Sequence, residues 1–536
     1  MRAIDREIRT KGSAMRLLIA AIAIACALAF VSSAGAGDCE SLTGRRAASG
    51  VVVKAQHFAA GKTIAAGLHP WVAPRAFCRV QARLRPAAGS DIQVEVWLPD
   101  AAEWNGKLLG AGNGGYGGSF IMPYFEMLPA LRRGYAAAGT DMGHEAPFGV
   151  ITARWAYGHP QKVIDWAYRA THLTALLAKE MIGAYYGSGP RRSYFQGCSD
   201  GGHEGLMEAL RYPADFDGII IGAPASPWTR TMTDVIWNYQ ALNKAGAQLT
   251  DNDLKLIHNA VLARCDVHDG VTDGFVSYPP ACNFDPAVLL CKPGERKGCL
   301  NDAQVRAVRR IYQGARVGGV QISSGFAPGS ELDWNPWIIG PKSFQAQFGT
   351  EFFRWMVYKS PNWTPAGSNI GRDFADAEQR MGGMLNSNSP DLHAFVRRGS
   401  KLLLYQGWAD PAIAPGNIIT YYDALTKELG ANADQVRLFM VPGMSHCFGG
   451  AGPNAFDTVD PLDRWVEGGV APERLIATKY DNDDSSAKVL MTRPLCAWPK
   501  QARWTGSGST SDAVNFVCAA PRGSSPGERP GSAAAP

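Results

Sequence analysis

A serine lies in the spacing G-x-S-x-G at GCSDG, residues 197–201. A strand-like run, SYFQ, precedes this segment, and a helix-like run, GGHEGLMEALRY, follows it. This context is typical of a nucleophile elbow, in which a sharp turn from strand to helix exposes the serine hydroxyl and requires small neighbours. The pattern predicts Ser199 as the nucleophile of an acyl-transfer reaction, with His203 on the surface of the following helix. A cysteine nucleophile at Cys198 is disfavoured because its position does not fit the elbow spacing.

A nucleophilic serine needs a general base and a carboxylate that orients the base. In the fold that uses this elbow, these groups follow in the chain order serine, acid, histidine. The segment KLLLYQGWADP supplies Asp410, and VRLFMVPGMSHCFGG supplies His446. Asp460 and Asp463 come after the histidine and are poorer candidates for the acid. The predicted triad is therefore Ser199, Asp410 and His446.

The oxyanion of an acyl-transfer intermediate needs preorganised N–H donors. One donor is expected from the amide of Asp200, the residue after the nucleophile. The second should come from the loop after an early strand, and GAGNGGYGG, residues 110–118, is the early glycine cluster that qualifies. Gly114 and Gly115 are the candidates. A phosphate-binding role for this loop is disfavoured because no lysine follows the glycines.

The elements that must position these residues alternate along the chain. Short apolar runs such as IQVEVWLP, GIIIGAP and KLLLYQG alternate with helix-like segments, which is the α/β pattern. Several runs end in glycine, where open parallel sheets present catalytic groups. We predict an α/β-hydrolase core in residues 37–223 and 390–518. Residues 224–389 lack the strand rhythm and are rich in tryptophan and proline, which predicts a large inserted lid domain over the site.

Composition limits the partners of the chain. With 536 residues, 46% hydrophobic and 19% charged residues and a formal net charge of +5, the chain can bury a large core and is not strongly basic. We therefore predict no nucleic-acid partner. The sequence does not indicate the oligomeric state.

The N-terminus has the pattern of a secretory signal. Basic residues precede LLIAAIAIACALAFVSS, and AGAG follows with a cleavage site near Ala36. Met1 and Met15 both fit as the first residue. A retained membrane anchor is disfavoured because the apolar run is short. We predict a signal peptide over residues 1–36, a secreted or periplasmic protein with no membrane segment after cleavage, and a disordered Gly/Pro/Ser-rich tail over residues 519–536.

Of the eleven cysteines, Cys26 lies in the predicted signal, which leaves an even set of ten. An even number in an exported protein indicates disulfides, and the lack of a C-x-x-C pair argues against zinc. Cys198 directly precedes Ser199, and Cys447 directly follows His446. If the triad assembles, these two cysteines come close together, and a disulfide there would link nucleophile to base. Spacing alone does not choose the remaining pairs.

These features resemble the tannase and feruloyl esterase family of α/β-hydrolases, the group that includes mono(hydroxyethyl) terephthalate hydrolase. The resemblance is carried by the cysteines beside nucleophile and base and by GNGGYGG, RAFCRV, GWADP and WVEGGVAPE, from about Cys39 to Cys518. It implies a serine carboxylic ester hydrolase that cleaves a small aromatic acid ester through an acyl-enzyme. A feruloyl (hydroxycinnamoyl) ester is the first expectation. A galloyl ester, as for tannase, and a terephthalate monoester are the alternatives.

The resemblance also implies a disulfide pairing and a structural calcium ion in the lid. The implied pairs are Cys39–Cys78, Cys198–Cys447, Cys265–Cys282, Cys291–Cys299 and Cys496–Cys518. The calcium loop would be CDVHDGVTDGFV, residues 265–276, which is not an EF-hand because the spacing and the terminal glutamate are missing. Its implied ligands are the carboxylates of Asp266, Asp269 and Asp273 and the main-chain carbonyls of Val271 and Phe275. A solvated acidic turn is the alternative.

The side chains that would select the ester are the hardest to identify from the sequence. Gln406 and Ile413 flank the predicted acid, and Trp337 and Phe353 are aromatic residues of the lid, so these four are expected in the substrate pocket. Two rival functions remain, a catalytically inactive calcium-dependent binding protein and a peptidase of the same fold. The intact triad disfavours the first, and the paired cysteines disfavour the second.

Overall fold

The computed structural model describes residues 38–65, 70–340 and 342–521. The predicted signal peptide, and residues 522–536 of the predicted tail, lie outside this part of the chain. The strands are β1 (Arg46–Ala47), β2 (Gly50–Phe58), β3 (Thr63–Ala65), β4 (Trp71–Val72), β5 (Phe77–Leu84), β6 (Ile92–Pro99), β7 (Lys107–Ala111), β8 (Ala136–Thr140), β9 (Arg192–Cys198), β10 (Gly218–Gly222), β11 (Arg316–Val317), β12 (Val320–Gln321), β13 (Lys401–Gly407), β14 (Val436–Val441), β15 (Arg474–Tyr480), β16 (Val489–Cys496), β17 (Gln501–Trp504) and β18 (Phe516–Ala519).

The helices connect these strands, with short 3-10 and π segments between them. They are α1 (Ile121–Arg132), α2 (Pro160–Ile164), α3 (Ala170–Tyr186), α4 (Asp200–Arg211), α5 (Trp228–Leu242), α6 (Asp251–Cys265), α7 (Asp302–Gln313), α8 (Trp334–Trp337), α9 (Phe344–Glu351), α10 (Ile370–Ala377), α11 (Gly383–Leu385), α12 (His393–Val396), α13 (Gly416–Leu429) and α14 (Val459–Gly468). No helix in the described part of the chain is long and apolar enough to cross a membrane.

A ten-stranded sheet organises the molecule, in the order β1-β2-β5-β6-β8-β7-β9-β10-β13-β14. The neighbours in β1-β2-β5-β6-β8 are paired antiparallel. The neighbours in β8-β7-β9-β10-β13-β14 are paired parallel. Helices α1 and α14 pack on one face of the parallel part, while α3, α4 and α13 pack on the other. Because both faces are covered, β8 and β10 are buried along their whole length and read as continuous apolar runs.

Residues 224–389, the predicted lid, leave the sheet after β10 and return to it before β13. They contain α5 to α11, and the only strands among their described residues are β11 and β12, which pair with each other. In α7, the buried residues Val305, Val308 and Ile311 recur every three positions, which is a helical period, and they pack in a core that also holds Trp334. This part of the segment therefore has an apolar core of its own. The buried apolar residues in the first part of α5 and in the stretch around Phe352 pack instead in the cluster that covers the sheet.

Five disulfides connect the chain, and their pairing is the one that the resemblance implied. They are Cys39–Cys78, Cys198–Cys447, Cys265–Cys282, Cys291–Cys299 and Cys496–Cys518. Two of them lie within residues 224–389, and one joins β16 to β18. The Cys198–Cys447 bridge spans 249 positions of sequence, by far the longest separation of the five.

Candidate active site

Ser199 lies at the sharp turn between β9 and α4. Its backbone has φ 64° and ψ −119°, a conformation that a non-glycine residue rarely adopts and that is typical of a strained nucleophile turn. The neighbouring glycines are required by close approach: a Cβ on Gly197 would lie 2.5 Å from the backbone of Gly201, and a Cβ on Gly201 would lie 2.8 Å from the carbonyl oxygen of Asn113. The turn therefore holds the serine at the carboxyl end of the strand.

The three predicted triad residues come together at this end of the sheet. The Nε2 atom of His446 lies 2.9 Å from the Oγ atom of Ser199, and its Nδ1 atom lies 3.1 and 3.0 Å from the two carboxylate oxygens of Asp410. Asp410 follows β13 and His446 follows β14, and these parallel neighbours end at the same edge. The later aspartates are elsewhere, because Asp463 pairs with Lys107 and Asp460 with Arg133.

Asp410 is fully buried and is held by several donors in addition to His446. Its Oδ1 atom accepts the backbone N–H groups of Ala412 (2.8 Å) and Ile413 (3.0 Å), and its Oδ2 atom accepts a hydrogen bond from Gln406 Nε2 at 3.0 Å. Gln406 is itself fully buried and also donates to the carbonyl oxygen of Ile413. The expectation that Gln406 lines the pocket is therefore wrong. Its side chain instead donates a hydrogen bond that holds the carboxylate of Asp410.

The Cys198–Cys447 disulfide joins the two catalytic turns covalently. Its Cα atoms are 6.0 Å apart, and it connects the residue before Ser199 to the residue after His446. Cys447 has φ 65°, so the histidine turn also has unusual backbone geometry. The bridge therefore limits how far the imidazole can move from the serine hydroxyl.

Two groups of N–H donors flank Ser199. Asp200 is the first residue of α4, where the N–H groups have no acceptor within the helix. Gly114 and Gly115 line the same cavity as Ser199. The N–H of Gly114 donates to the side chain of Asn113 at 2.9 Å, whereas no acceptor is found for the N–H of Gly115 among the described residues. Of the two glycines, Gly115 therefore has the N–H group that is available to donate a hydrogen bond to an oxyanion.

A buried glutamate supports the glycine loop from α4. Glu204 Oε1 accepts the backbone N–H of Asn113 at 2.7 Å, and its Oε2 accepts the hydroxyl of Thr171 at 2.6 Å. Burial, together with the nearby carboxylate of Asp200, raises the pKa of Glu204 to about 8. Sequence reasoning missed this residue. The signal in the sequence was an acidic residue at the fifth position after the nucleophile. The covering of its helix by the rest of the fold is seen only in the structure.

The prediction that His203 lies on the helix surface is wrong. His203 is fully buried, its Nε2 atom lies 2.8 Å from the carbonyl oxygen of Leu385, and its Nδ1 atom lies 3.3 Å from the carboxylate of Asp200. Burial raises the pKa of Asp200. Because α4 packs between the sheet and the residues after β10, the polar residues of its first turns are inside the protein and are not on an exposed face.

The catalytic groups open into a cavity of about 450 Å³. Two of the predicted pocket residues, Trp337 and Ile413, line it, and the ring of Trp337 packs edge-on against the imidazole of His446 at 5.1 Å. Phe353, the fourth predicted pocket residue, does not line it. Its side chain is buried within the lid, where it stacks on Trp363 at 5.0 Å.

Other aromatic residues form the walls that the sequence did not identify. Tyr116, Trp228 and Phe348 all line the cavity, and Tyr116 donates its hydroxyl to the carbonyl oxygen of Phe348 at 2.7 Å. Tyr116 was detectable as the aromatic residue inside the glycine loop. Among the described residues that line the cavity there is no lysine or arginine. The walls therefore suit a flat, uncharged aromatic group.

The predicted calcium loop contains buried carboxylate oxygen atoms. Asp266 and Asp269 are buried and accept backbone N–H groups of the same loop, from Asp273, Gly274 and Val271. Asp273 pairs with the guanidinium of Arg493 through Oδ2, while its buried Oδ1 has no partner in the described structure. Burial and the neighbouring carboxylates raise the pKa of Asp273 to about 7. This all-oxygen set with an unpartnered carboxylate oxygen fits a hard cation such as calcium.

Comparison with known proteins places the chain among esterases. A family model described as "Tannase and feruloyl esterase" matches residues 78–519. An "uncharacterized esterase" of Xanthomonas campestris pv. campestris is 37% identical, and the match covers 95% of this chain and 96% of that protein. A probable feruloyl esterase B-2 of Aspergillus flavus is 32% identical over 78% of this chain and 83% of its own.

A solved structure shows the same likeness in three dimensions. The crystal structure of feruloyl esterase B from Aspergillus oryzae matches with a TM-score of 0.82 and 27% sequence identity. This match covers 89% of this chain and 98% of that chain. The likeness therefore extends over most of both chains.

Proposed function

The chain belongs to the tannase and feruloyl esterase family of α/β-hydrolases, which are carboxylic ester hydrolases, and from this premise we propose that it cleaves esters of aromatic carboxylic acids by a Ser-His-Asp mechanism. The predicted fold class is confirmed by the same comparisons. The observation that carries the proposal is the 2.9 Å approach of His446 Nε2 to Ser199 Oγ at the floor of an apolar cavity.

In the proposed reaction, His446 accepts the proton of Ser199 as the serine oxygen attacks the ester carbonyl. The carbonyl oxygen becomes an oxyanion, which accepts hydrogen bonds from the N–H groups of Asp200 and Gly115. Asp410 fixes the imidazole with Nδ1–H towards the carboxylate and stabilises the imidazolium. His446 then gives the proton to the leaving alcohol, and an acyl-enzyme forms on Ser199. Water, activated by the same histidine, releases the aromatic acid.

The composition of the cavity favours a feruloyl-type acid over the alternatives. A terephthalate monoester would place a carboxylate among apolar walls that offer no lysine or arginine from the described residues, and an unpaired buried charge is costly. A galloyl group would bring three hydroxyls that each need a partner. A feruloyl group has one phenolic hydroxyl and a methoxy group on an apolar frame. The relatives named as feruloyl esterases support the same ranking.

The test is a comparison of kcat/KM for methyl ferulate, methyl gallate and a terephthalate monoester. We expect methyl ferulate to be the best substrate and the charged terephthalate ester to be worse by about 100-fold or more, because several kcal/mol of desolvation separate them. Preference for methyl gallate would make the protein a tannase. Preference for the charged ester would overturn the argument from the cavity. Binding of these esters without turnover would instead support the inactive binding protein.

We also propose that the loop 265–276 holds a structural calcium ion. Its ligands would be the carboxylates of Asp266, Asp269 and Asp273 and the main-chain carbonyls of Val271 and Phe275. When bound, the ion would offset two of the three negative charges of the clustered carboxylates and tie the loop together, and it would take no part in ester cleavage.

Chelation tests the calcium proposal without relying on turnover. EDTA should lower Tm by several degrees, because an ion that binds only the folded state stabilises it, while the initial rate at low temperature changes little. Asp269→Asn should abolish the response to EDTA, and Asp285→Asn, at an exposed aspartate, should preserve it. A Tm that is insensitive to EDTA and to added calcium would contradict the proposal.

The mature protein is proposed to be secreted or periplasmic. Five disulfides persist in oxidising compartments, which agrees with the predicted signal peptide. Fractionation of the producing cells and N-terminal sequencing of the mature chain test this directly. We expect the chain to begin just after Ala36 and to be absent from the cytoplasm. A chain that keeps residues 1–36 would contradict the prediction of cleavage.

A further inference from the structure

The mouth of the catalytic cavity carries three exposed apolar side chains. Phe148, Val150 and Phe448 line the same cavity as Ser199, yet they are 42%, 53% and 71% exposed. We refer to these three residues as the rim. A large apolar side chain that is mostly in water at the edge of a concave site is a common mark of a ligand contact.

The rest of the cavity wall differs sharply from the rim in exposure. Tyr116, Trp228 and Ile413 are 4%, 1% and 5% exposed, and they enclose the inner end of the cavity. The cavity therefore has a closed end and an open end. An ester has two parts on either side of the carbonyl carbon, so one part occupies the closed end while the other extends past the open end.

The position of His446 decides which part of the ester meets the rim. The leaving oxygen must come close to His446 Nε2, because this atom returns the proton to the alcohol. Phe448 is two residues after His446, and Cys447 between them also lines the cavity. Because Cys447 is bonded to Cys198, the backbone that leads to Phe448 is anchored beside the nucleophile. The alcohol part of the ester therefore leaves past the rim.

The chemistry of the rim limits the alcohols that it can hold. Residues 147–151 have the sequence PFGVI, and with Phe448 they offer no side-chain hydrogen-bonding group. All five of these residues line the cavity. The many hydroxyls of a sugar would lose water there without a side-chain partner, whereas an alkyl or aryl chain would remove apolar surface of both partners from water.

We propose that the rim is the binding site for the alcohol part of the ester, and that it selects apolar alkyl or aryl alcohols over sugars. This inference rests on the proposed esterase function and extends it to the second half of the substrate. The acid part then occupies the closed end, between Tyr116, Trp228 and Ile413.

The test compares kcat/KM for methyl ferulate, hexyl ferulate and feruloyl arabinose. We expect the hexyl ester to exceed the methyl ester by roughly tenfold, since part of the added chain is buried on the rim. We expect feruloyl arabinose to fall below the methyl ester. In Phe448→Ser and, separately, Val150→Ser, the ratio of hexyl to methyl kcat/KM should fall towards one. Val514→Ser, at an 85% exposed apolar residue that does not line the cavity, should keep the wild-type ratio.

The outcomes separate this inference from the proposed function. If methyl ferulate is cleaved but the hexyl ester has no advantage, or if feruloyl arabinose is preferred, the assignment of the rim is wrong and the esterase function stands. If the ratio is high but unchanged in both rim variants, the selectivity lies elsewhere and the assignment is also wrong. If no ferulate ester is cleaved at all, the proposed function fails, and the inference fails with it.

Discussion

The floor of the cavity and the lid wall above it are held by different kinds of contact. On the floor, Ser199, His446 and Asp410 follow the ends of three parallel strands and are joined by hydrogen bonds no longer than 3.1 Å. In the lid, Trp337 faces the cavity, while Phe353 does not line it and stacks on Trp363. Hydrogen bonds require particular atoms at particular places, whereas apolar packing accepts several residue types. Changes on the floor should therefore alter kcat, and changes in the lid should alter KM or stability.

The largest effect is expected at the nucleophile. Ser199→Ala should reduce ester hydrolysis by at least about 10³-fold, because the triad acts as a unit and its loss leaves only the oxyanion donors and binding. Tm should stay close to the wild-type value, since the hydroxyl acts in chemistry. The measurement is the rate of methyl ferulate hydrolysis alongside thermal unfolding. Turnover close to the wild-type rate would place the nucleophile elsewhere and remove the contrast between floor and lid.

The two disulfides with the longest and the shortest sequence separations allow a direct comparison of floor and lid. Replacing Cys198 and Cys447 with alanine should cost about 5.5 kcal/mol in the chain-entropy model, against about 2.5 kcal/mol for the short loop closed by Cys291 and Cys299. The first double variant should also turn over roughly tenfold more slowly per active site, because a displacement of His446 by about 1 Å weakens proton transfer. The second should keep its rate.

Active-site titration of the soluble fraction separates the two effects of the cysteine variants. The number of titrated serines gives the folded fraction, and the rate per titrated serine gives the quality of the catalytic geometry. A normal rate per serine in the Cys198→Ala/Cys447→Ala variant would mean that the bridge only stabilises the fold. The floor would then owe its geometry to the strands and hydrogen bonds alone.

Two aromatic residues of the lid test which of its side chains affect KM and which affect stability. Trp337→Leu should raise KM for methyl ferulate by about tenfold, because it removes a wall of the cavity beside His446. Phe353→Leu should lower the free energy of unfolding by about 1 kcal/mol and leave KM unchanged, since its ring is buried against Trp363 and does not line the cavity. Steady-state kinetics and urea unfolding of both variants check this. An unchanged KM in Trp337→Leu, or a raised one in Phe353→Leu, would reverse the assignment.

The smallest effect is expected at Glu204 beneath the glycine loop, and it is an effect on stability. The raised pKa of Glu204, about 8 in place of 4.5, means that the folded state binds its proton more tightly than the unfolded state. Its contribution to stability is therefore present at low pH and is lost as pH rises from about 4.5 to 8. Glu204→Gln keeps an acceptor for the Asn113 N–H and cannot ionise, so its stability should decline less over this range.

Unfolding by urea at several pH values between 5 and 8 measures this difference. The matched control is Glu180→Gln, at a partly exposed glutamate in a surface ion pair with Arg45. The control should follow the wild-type profile. A Glu204→Gln variant with the wild-type slope would show that Glu204 is already ionised in the folded protein, and the support of the glycine loop would then involve a charged hydrogen bond.

The difference between the floor and the lid also explains which features could be predicted from the sequence. Ser199, Asp410 and His446 follow from the elbow spacing and the fixed chain order, and Cys198 and Cys447 are their direct neighbours. The role of Gln406 could not be predicted, because a polar residue beside the acid can face either the pocket or the carboxylate. Which way it faces depends on the register of β13 against its neighbours, and this is a property of the assembled sheet.

In the lid and in α4, local patterns do not contain the needed information. Trp337 and Phe353 are both aromatic residues of the lid, and only the packing of the lid helices turns one to the cavity and the other to the core. His203 and Glu204 are polar residues on a helix, which usually indicates a solvent-exposed face. Here the helix is enclosed by the sheet and by residues 224–389, so long-range packing overrides the local expectation.

In the proposed reaction, an aromatic acyl group is transferred to Ser199 at the floor of the cavity. Acid quenching of the wild-type protein during turnover of 4-nitrophenyl ferulate, followed by peptide mass mapping, tests it most directly. We expect one feruloyl group, on the peptide that contains Ser199, and no adduct in Ser199→Ala. A feruloyl group on a different residue, or an adduct that persists in the Ser199→Ala variant during hydrolysis, would contradict acyl transfer to Ser199.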